Sequence, residues 1–96
     1  MPSIESIRER LHPVFSRYHV KKAVLFGSYA KGTAGESSDI DIYVDSGLKG
    51  LQFFGLLEDV TDCLKKPVDL IDASQVNTGS RVLEEIDRSG VLLYES

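Results

Sequence analysis

The amino-acid sequence predicts a small α/β domain of the α+β type, in which a mixed β-sheet is flanked by helices. Segments with a helical spacing of apolar residues alternate with short apolar runs that are typical of buried strands. Of the 96 residues, 42% are hydrophobic and 27% are charged, which is an ordinary composition for a globular domain. We therefore expect a single domain that spans residues 1–96.

The N-terminal segment predicts a helix that Ser3 can cap. Apolar side chains recur behind Ser3 at spacings of three and four residues. They are Ile4, Ile7, Leu11, Val14, Phe15 and Tyr18. Pro13 falls inside this pattern, and proline lacks the amide hydrogen and clashes with the preceding turn. We expect a kink or a restart of the helix there.

Two strands are expected next, at residues 20–26 and 40–45. The first, VKKAVLF, ends at Gly27, and the second is the run IDIYVD. The segment that joins them, GSYAKGTAGESS, is rich in Gly and Ser. Such a composition predicts a turn with at most one short helix, around Tyr29 to Lys31.

The second half of the chain predicts two helices and two strands. A helix from Leu48 to Leu64 carries apolar residues at helical spacing and is followed by a Lys-Lys-Pro stop signal. The run PVDLIDA predicts a third strand, and the polar stretch SQVNTGS predicts a loop. A last helix around Val82 to Ile86 should end at Gly90, after which VLLY can add a short final strand.

The charge balance argues against a protein that grips long nucleic acid. The chain has 11 Lys and Arg against 15 Asp and Glu, for a net charge of −4, whereas binding a long phosphate backbone needs a concentrated basic face. Cys63 is the only cysteine, and no signal sequence or membrane span is recognisable, so we expect a cytoplasmic protein. A chain of this size buries only about 60–65% of its unfolded surface, which leaves room for a homo-oligomer or for another partner.

Asp39 and Asp41 form an acidic pair at the start of the second strand. Because successive side chains of a strand point to opposite faces, both should project to the same side, about 6.5–7 Å apart. Two like charges this close repel each other unless a cation or proton lies between them. Oxygen ligands are what Mg²⁺ prefers, so the pair predicts a metal site.

Asp69 is the third acidic candidate, and it lies within the apolar run of the third strand. There a bare carboxylate would be costly to bury unless it were paired. If the third strand lies beside the second, the three carboxylates share one cleft and form a site for two metal ions, roughly 3.5–4 Å apart. Asp45 and Asp72 also border strands, but their placement is more typical of turn capping.

A phosphate-binding turn is predicted directly after the first strand. Gly27 and Ser28 offer backbone amides and a hydroxyl there, and Lys31 adds a cation near the same turn. Ser38, which precedes Asp39, is the fourth residue expected at this phosphate-binding site. The spacing GxxxxGK[ST] does not occur, so a Walker A loop is not expected.

The run LFGSYAKGTAGESSDIDIYV resembles the GS…D-x-D signature of the polymerase-β-like nucleotidyltransferase superfamily, and VDLID supplies the later carboxylate. The chain is most similar to the minimal nucleotidyltransferases. This resemblance implies the nucleotidyltransferase fold, Gly27 and Ser28 on the triphosphate, and Mg²⁺ held by Asp39, Asp41 and Asp69. It also implies that Asp69 acts as a base toward the incoming hydroxyl. The family usually has arginine at the position of Lys31, and lysine lacks the bidentate fork.

The resemblance also implies a partner. Minimal nucleotidyltransferases are commonly paired with a separate HEPN-domain protein, and several act as antitoxins that adenylylate a tyrosine of the HEPN ribonuclease toxin. The leading hypothesis is therefore metal-dependent transfer of AMP from ATP to such a hydroxyl. One alternative is a non-catalytic antitoxin that inhibits its HEPN partner by contact alone. Small-molecule modification, as in the aminoglycoside nucleotidyltransferases, is less favoured because those enzymes generally carry an added helical domain.

Overall fold

The computed structural model describes residues 2–96 and combines four strands with four α-helices. In chain order the elements are α1 (Ile4–Arg17), β1 (Lys22–Phe26), α2 (Gly27–Lys31), β2 (Ile40–Asp45), α3 (Leu51–Leu64), β3 (Val68–Asp72), a short 3-10 helix (Ala73–Gln75), α4 (Arg81–Ser89) and β4 (Val91–Glu95). The expected mixed sheet with flanking helices is confirmed.

The strands form one sheet in the order β3-β2-β1-β4. Strand β1 pairs antiparallel with both β2 and β4, whereas β2 and β3 are parallel. Consequently the last residue of β1 and the first residues of β2 and β3 meet at one end of the sheet. Phe26 is opposite Asp41, and Asp41 is in turn opposite Asp69.

The hydrophobic core lies between one face of the sheet and the helices α1 and α3. Its fully buried members include Phe15 from α1, Leu56 from α3, and Leu25 and Ile42 from the sheet. Side chains alternate along a strand, so the residues next to these in sequence, such as Asp41, point to the opposite face. Helices α2 and α4 contact each other and β1 on that second face.

Helix α1 begins as the sequence predicts, with Ser6 N–H donating to the Ser3 Oγ at 3.1 Å. The expected restart at Pro13 is wrong, because the helix runs without a break to Arg17. Proline removes one helical hydrogen bond. The neighbours Leu11 and Phe15 are completely buried in the core, and their packing holds the helix together across that position.

The remaining boundaries differ from the sequence-based expectation by a few residues. Strand β1 begins two residues later than expected, since Val20 N–H bonds to the Phe15 carbonyl in the turn after α1. Helix α3 begins at Leu51 rather than at Leu48. In the part of the chain that the structure describes, no helix has the length and apolar character needed to cross a membrane.

Asp72 has the capping role that its position suggested. Its carboxylate is buried and accepts hydrogen bonds from the backbone and hydroxyl groups of both Ser46 and Ser74. Burial alone would raise the pKa of Asp72, but the hydrogen bonds outweigh burial and lower the pKa below its usual value. These bonds fix the end of β3 at the far end of the sheet from Asp69.

Candidate active site

Asp41 and Asp69 lie side by side at one end of the sheet. They are directly opposite each other in the parallel pairing of β2 with β3, so their side chains share one face. The adjacency of these strands, which was an assumption at the level of sequence, is present in the structure. The two carboxylates therefore lie next to each other on the same face of the sheet.

The burial of the three aspartates differs from the sequence-based expectation. Asp69 is exposed, so the inference that its apolar neighbours bury it is wrong: β3 is an edge strand, and Asp69 lies on its open face. Asp39 is also exposed and precedes β2 by one residue instead of lying within the strand. Asp41 is the partly buried member of the three.

Gly27 lies very close to the carboxylate of Asp41. It is buried, with a φ of +73°, and a Cβ atom added to it would collide with the Asp41 Oδ2 and lie 3.1 Å from the Asp41 Cγ. Both the positive φ and the missing side chain are properties of glycine. The end of β1 can thus approach the Asp41 carboxylate closely only because residue 27 has no side chain.

The electrostatics of the site centre on Asp41. Burial raises the pKa of Asp41, and the negative charges of Asp69, Asp39 and Glu85 raise it further. The three predicted carboxylates are therefore close enough to interact. Glu85, on helix α4, is a fourth acidic group that sequence reasoning missed, because no motif links it to the Asp-x-Asp pair.

The other predicted site residues lie along the loop between β1 and β2. Lys31 ends α2, and its Nζ lies 2.9 Å from the Glu85 Oε1. Ser28 is half-buried at the start of α2, directly after Gly27. The Ser38 Oγ accepts a hydrogen bond from Gly35 N–H at 2.9 Å, so its clearest structural role is to hold this loop in place.

The carboxylates of Asp39, Asp41 and Asp69 suit a hard divalent cation, because carboxylate oxygens are the side-chain ligands that Mg²⁺ prefers. Within residues 2–96, however, no three His, Cys, Asp or Glu side chains converge into a preformed metal-binding group. Mg²⁺ usually takes one or two protein carboxylates and completes its shell with water and substrate phosphates. Asp41 with its neighbour Asp69 meets that requirement.

A separate apolar surface lies on helix α3, away from the carboxylates. Phe54 is 53% exposed and Leu51 is 88% exposed, while Leu56 of the same helix is fully buried. A groove of about 630 Å³ runs beside Phe54 and Leu57 toward Pro67 and shares no residue with the candidate site. The apolar residues of α3 are therefore partly core and partly surface.

Comparison with known proteins defines the class of this chain. Residues 9–96 match the family model described as polymerase beta, nucleotidyltransferase. The chain belongs to this nucleotidyltransferase family, which confirms the resemblance carried by the Gly-Ser turn and the Asp-x-Asp pair. The chain is therefore a nucleotidyltransferase, an enzyme that transfers a nucleotidyl group.

One related protein and two solved structures show which members of the family this chain is similar to. A protein of Methanocaldococcus jannaschii, provisionally named a protein adenylyltransferase, is 32% identical over 87 residues, which cover 86% of this chain and 94% of the relative. A solved structure provisionally described as a minimal nucleotidyltransferase superimposes with a TM-score of 0.74 at 26% identity, covering 93% of this chain and 94% of that one. A crystal structure described as a toxin–antitoxin with AMP-PNP gives 0.73 at 26% identity, covering 93% and 73%.

Proposed function

We propose that this chain transfers AMP from ATP to the hydroxyl group of a tyrosine in a HEPN-domain toxin. By this transfer it acts as the antitoxin. The observation that carries the proposal is the pairing of Asp41 with Asp69 beside a glycine that leaves room for the Asp41 carboxylate. The relative named as a protein adenylyltransferase and the similar toxin–antitoxin with AMP-PNP support the choice of nucleotide and of acceptor class.

The phosphates bind at the turn that follows β1. Gly27 and Ser28 contribute backbone amides and a hydroxyl, and Ser38 borders the same loop. Lys31, at the end of α2, contributes positive charge to the triphosphate. The turn adjoins the carboxylates, since Gly27 contacts Asp41, and so it brings the α-phosphorus near the acidic residues.

In this proposal Asp39, Asp41 and Asp69 would hold Mg²⁺. When bound, the metal would supply positive charge that offsets the negative charge on the attacking oxygen of the acceptor and on the leaving pyrophosphate. In the metal-free chain, burial raises the pKa of Asp41, and repulsion from the negative charges of Asp69, Asp39 and Glu85 raises it further. A cation relieves that repulsion, and this relief favours metal binding at the cluster.

Asp69 acts as the base in this proposal. It is exposed and lies on the face of Asp41, where an acceptor hydroxyl can approach from solvent. The acceptor oxygen forms a bond to the α-phosphorus, and the bond from this phosphorus to the bridging oxygen of the β-phosphate breaks. Asp69 takes the hydroxyl proton, and pyrophosphate leaves with the electron pair of the broken bond. Positioning and electrostatics provide most of the rate.

The acceptor is a folded partner rather than long nucleic acid. The net charge of −4 argues against strong binding to a long phosphate backbone. A protein tyrosine carried by the partner needs access to the carboxylates, and Asp39 and Asp69 are both exposed.

Radiolabelled ATP tests this function. The chain is incubated with α-³²P-labelled ATP, Mg²⁺ and a HEPN-domain protein of the same organism, and label on the partner and its ribonuclease activity are both measured. Asp41→Asn should abolish transfer. Asp45→Asn, at the opposite end of the same strand, makes the same charge change and should transfer normally. Ribonuclease inhibition that persists in Asp41→Asn, with no transfer by the wild-type chain, would instead establish an antitoxin that acts by contact alone.

A further inference from the structure

Lys31 and Glu85 form an ion pair near Asp41. The Lys31 Nζ lies 2.9 Å from the Glu85 Oε1. The two residues come from α2 and α4, which pack against each other on the site face of the sheet. The Glu85 side chain is 28% exposed and the Lys31 side chain is 44% exposed, so the pair is partly shielded from solvent.

This pairing restricts a side chain that is intrinsically flexible. Lysine carries its charge on a flexible four-carbon stem, and ordering that stem costs conformational entropy. The ammonium group has three N–H donors, and the contact with Glu85 occupies one of them. Two donors therefore remain for contact with a phosphate.

We propose that Glu85 is a positioning residue, which holds the Lys31 ammonium where it meets the phosphates of the nucleotide. This role rests on the proposed function, because it assumes that phosphates bind at the turn formed by Gly27 and Ser28. Lys31 and that turn belong to the same five-residue helix, so the turn and the stem of Lys31 have a fixed relation. Glu85 supplies the remaining constraint from outside the helix.

The identity of residue 31 strengthens this argument. An arginine there would present a planar, preorganised fork, whereas the ammonium of lysine is a point charge. A lysine therefore depends more on a neighbour that restricts it. Glu85 provides that restriction from α4, an element that the Gly-Ser and Asp-x-Asp motifs do not include.

Binding of α,β-methylene ATP with Mg²⁺, measured by calorimetry, tests the role of Glu85. This analogue cannot transfer its nucleotidyl group, so the measurement needs no acceptor. Glu85→Gln should weaken binding about two- to fivefold, the range that a partly exposed ion pair supports. Glu84→Gln makes the same charge change at an exposed position of α4 and should bind like the wild type. Thermal melting of each variant checks that the fold is retained.

A double-variant comparison separates positioning from general electrostatics. In a Lys31→Ala background, Glu85→Gln should have no further effect, and Lys31→Arg should restore binding to Glu85→Gln. Tighter binding by Glu85→Gln would mean that Glu85 repels the nucleotide, and this result would overturn the positioning role. An equal loss in the Lys31→Ala background would overturn it as well. A wild-type chain that bound no analogue would overturn the proposed function together with this role.

Discussion

Gly27→Ala is the substitution that tests the geometry of the site most selectively. The new methyl group meets the Asp41 carboxylate, with the Asp41 Cγ only 3.1 Å from the added Cβ. Ordinary contacts between such atoms lie near 3.5 Å or beyond, and the carboxylate oxygen is closer still, so the Asp41 side chain must withdraw by about 1 Å. A misplacement of that size can lower a reaction rate about a hundredfold.

The same substitution also has a cost that is unrelated to catalysis. Residue 27 has a φ of +73°, and a left-handed conformation costs a residue with a side chain about 1–2 kcal/mol. Gly47→Ala is the matched control, because Gly47 has a φ of +71° and no atom within 4 Å of its added Cβ. Both variants should lose about 1–2 kcal/mol of unfolding free energy in urea, and Gly27→Ala should lose slightly more.

Nucleotidyl transfer to the partner distinguishes the two variants. Gly27→Ala should transfer AMP about a hundredfold more slowly than the wild type, while Gly47→Ala should transfer at nearly the wild-type rate. Equal transfer rates for the two variants would refute the reasoning, because they would show that the approach of Gly27 to Asp41 has no catalytic consequence.

Three further substitutions test individual physical claims. Tyr29→Phe removes a buried hydroxyl that has no hydrogen-bond partner in the described part of the chain, so urea unfolding should show a gain of about 1 kcal/mol. The pKa of Asp72 is lower in the folded chain than its value near 3.8 in the unfolded chain. Its stabilising effect is therefore complete above the unfolded-state pKa and is lost as pH falls through the folded-state pKa. Asp72→Asn should therefore lower stability at pH 7 and flatten the acid limb of a plot of stability against pH. Asp41 has a raised pKa, so its ionisation destabilises the metal-free fold as pH rises. Asp41→Asn removes this ionisation and should therefore raise the melting temperature at pH 7 but not at pH 3.

Each of these three expectations has a specific contradiction. A loss of stability in Tyr29→Phe would mean that the hydroxyl has a partner, such as a buried water. A pH profile of Asp72→Asn parallel to that of the wild type would show that Asp72 does not titrate in the way its hydrogen bonds imply. For Asp41, Mg²⁺ should raise the melting temperature of the wild type more than that of Asp41→Asn. An equal rise would place the metal elsewhere.

The sheet and the Asp-x-Asp pair could be predicted because their signals are local. Strand β2 alternates apolar and polar residues over its whole length, and its observed bounds match the expected residues 40–45. Ser3 and Gly90 mark helix ends by local hydrogen bonding, and the structure has these ends where the sequence indicates. Such features depend on neighbours in the chain, so the sequence alone carries them.

The missed and incorrect points depend on packing between distant segments. The burial of Asp69 was inferred from its apolar neighbours in sequence, but an edge strand can leave one face open. Glu85 reaches the site only because α4 returns against α2 after the last loop. Gly27 could be assigned to a turn from its sequence context. The close approach of its backbone to the Asp41 carboxylate required the antiparallel register of β1 and β2.

A crystal structure of the chain with α,β-methylene ATP and Mn²⁺ would examine the acidic cluster directly, because the anomalous signal of manganese locates the metal. We expect metal density in contact with Asp41 and Asp69, and phosphates against the backbone of Gly27 and Ser28. Nucleotide bound at another surface, such as the groove beside Phe54, with no metal at the paired aspartates, would contradict the account.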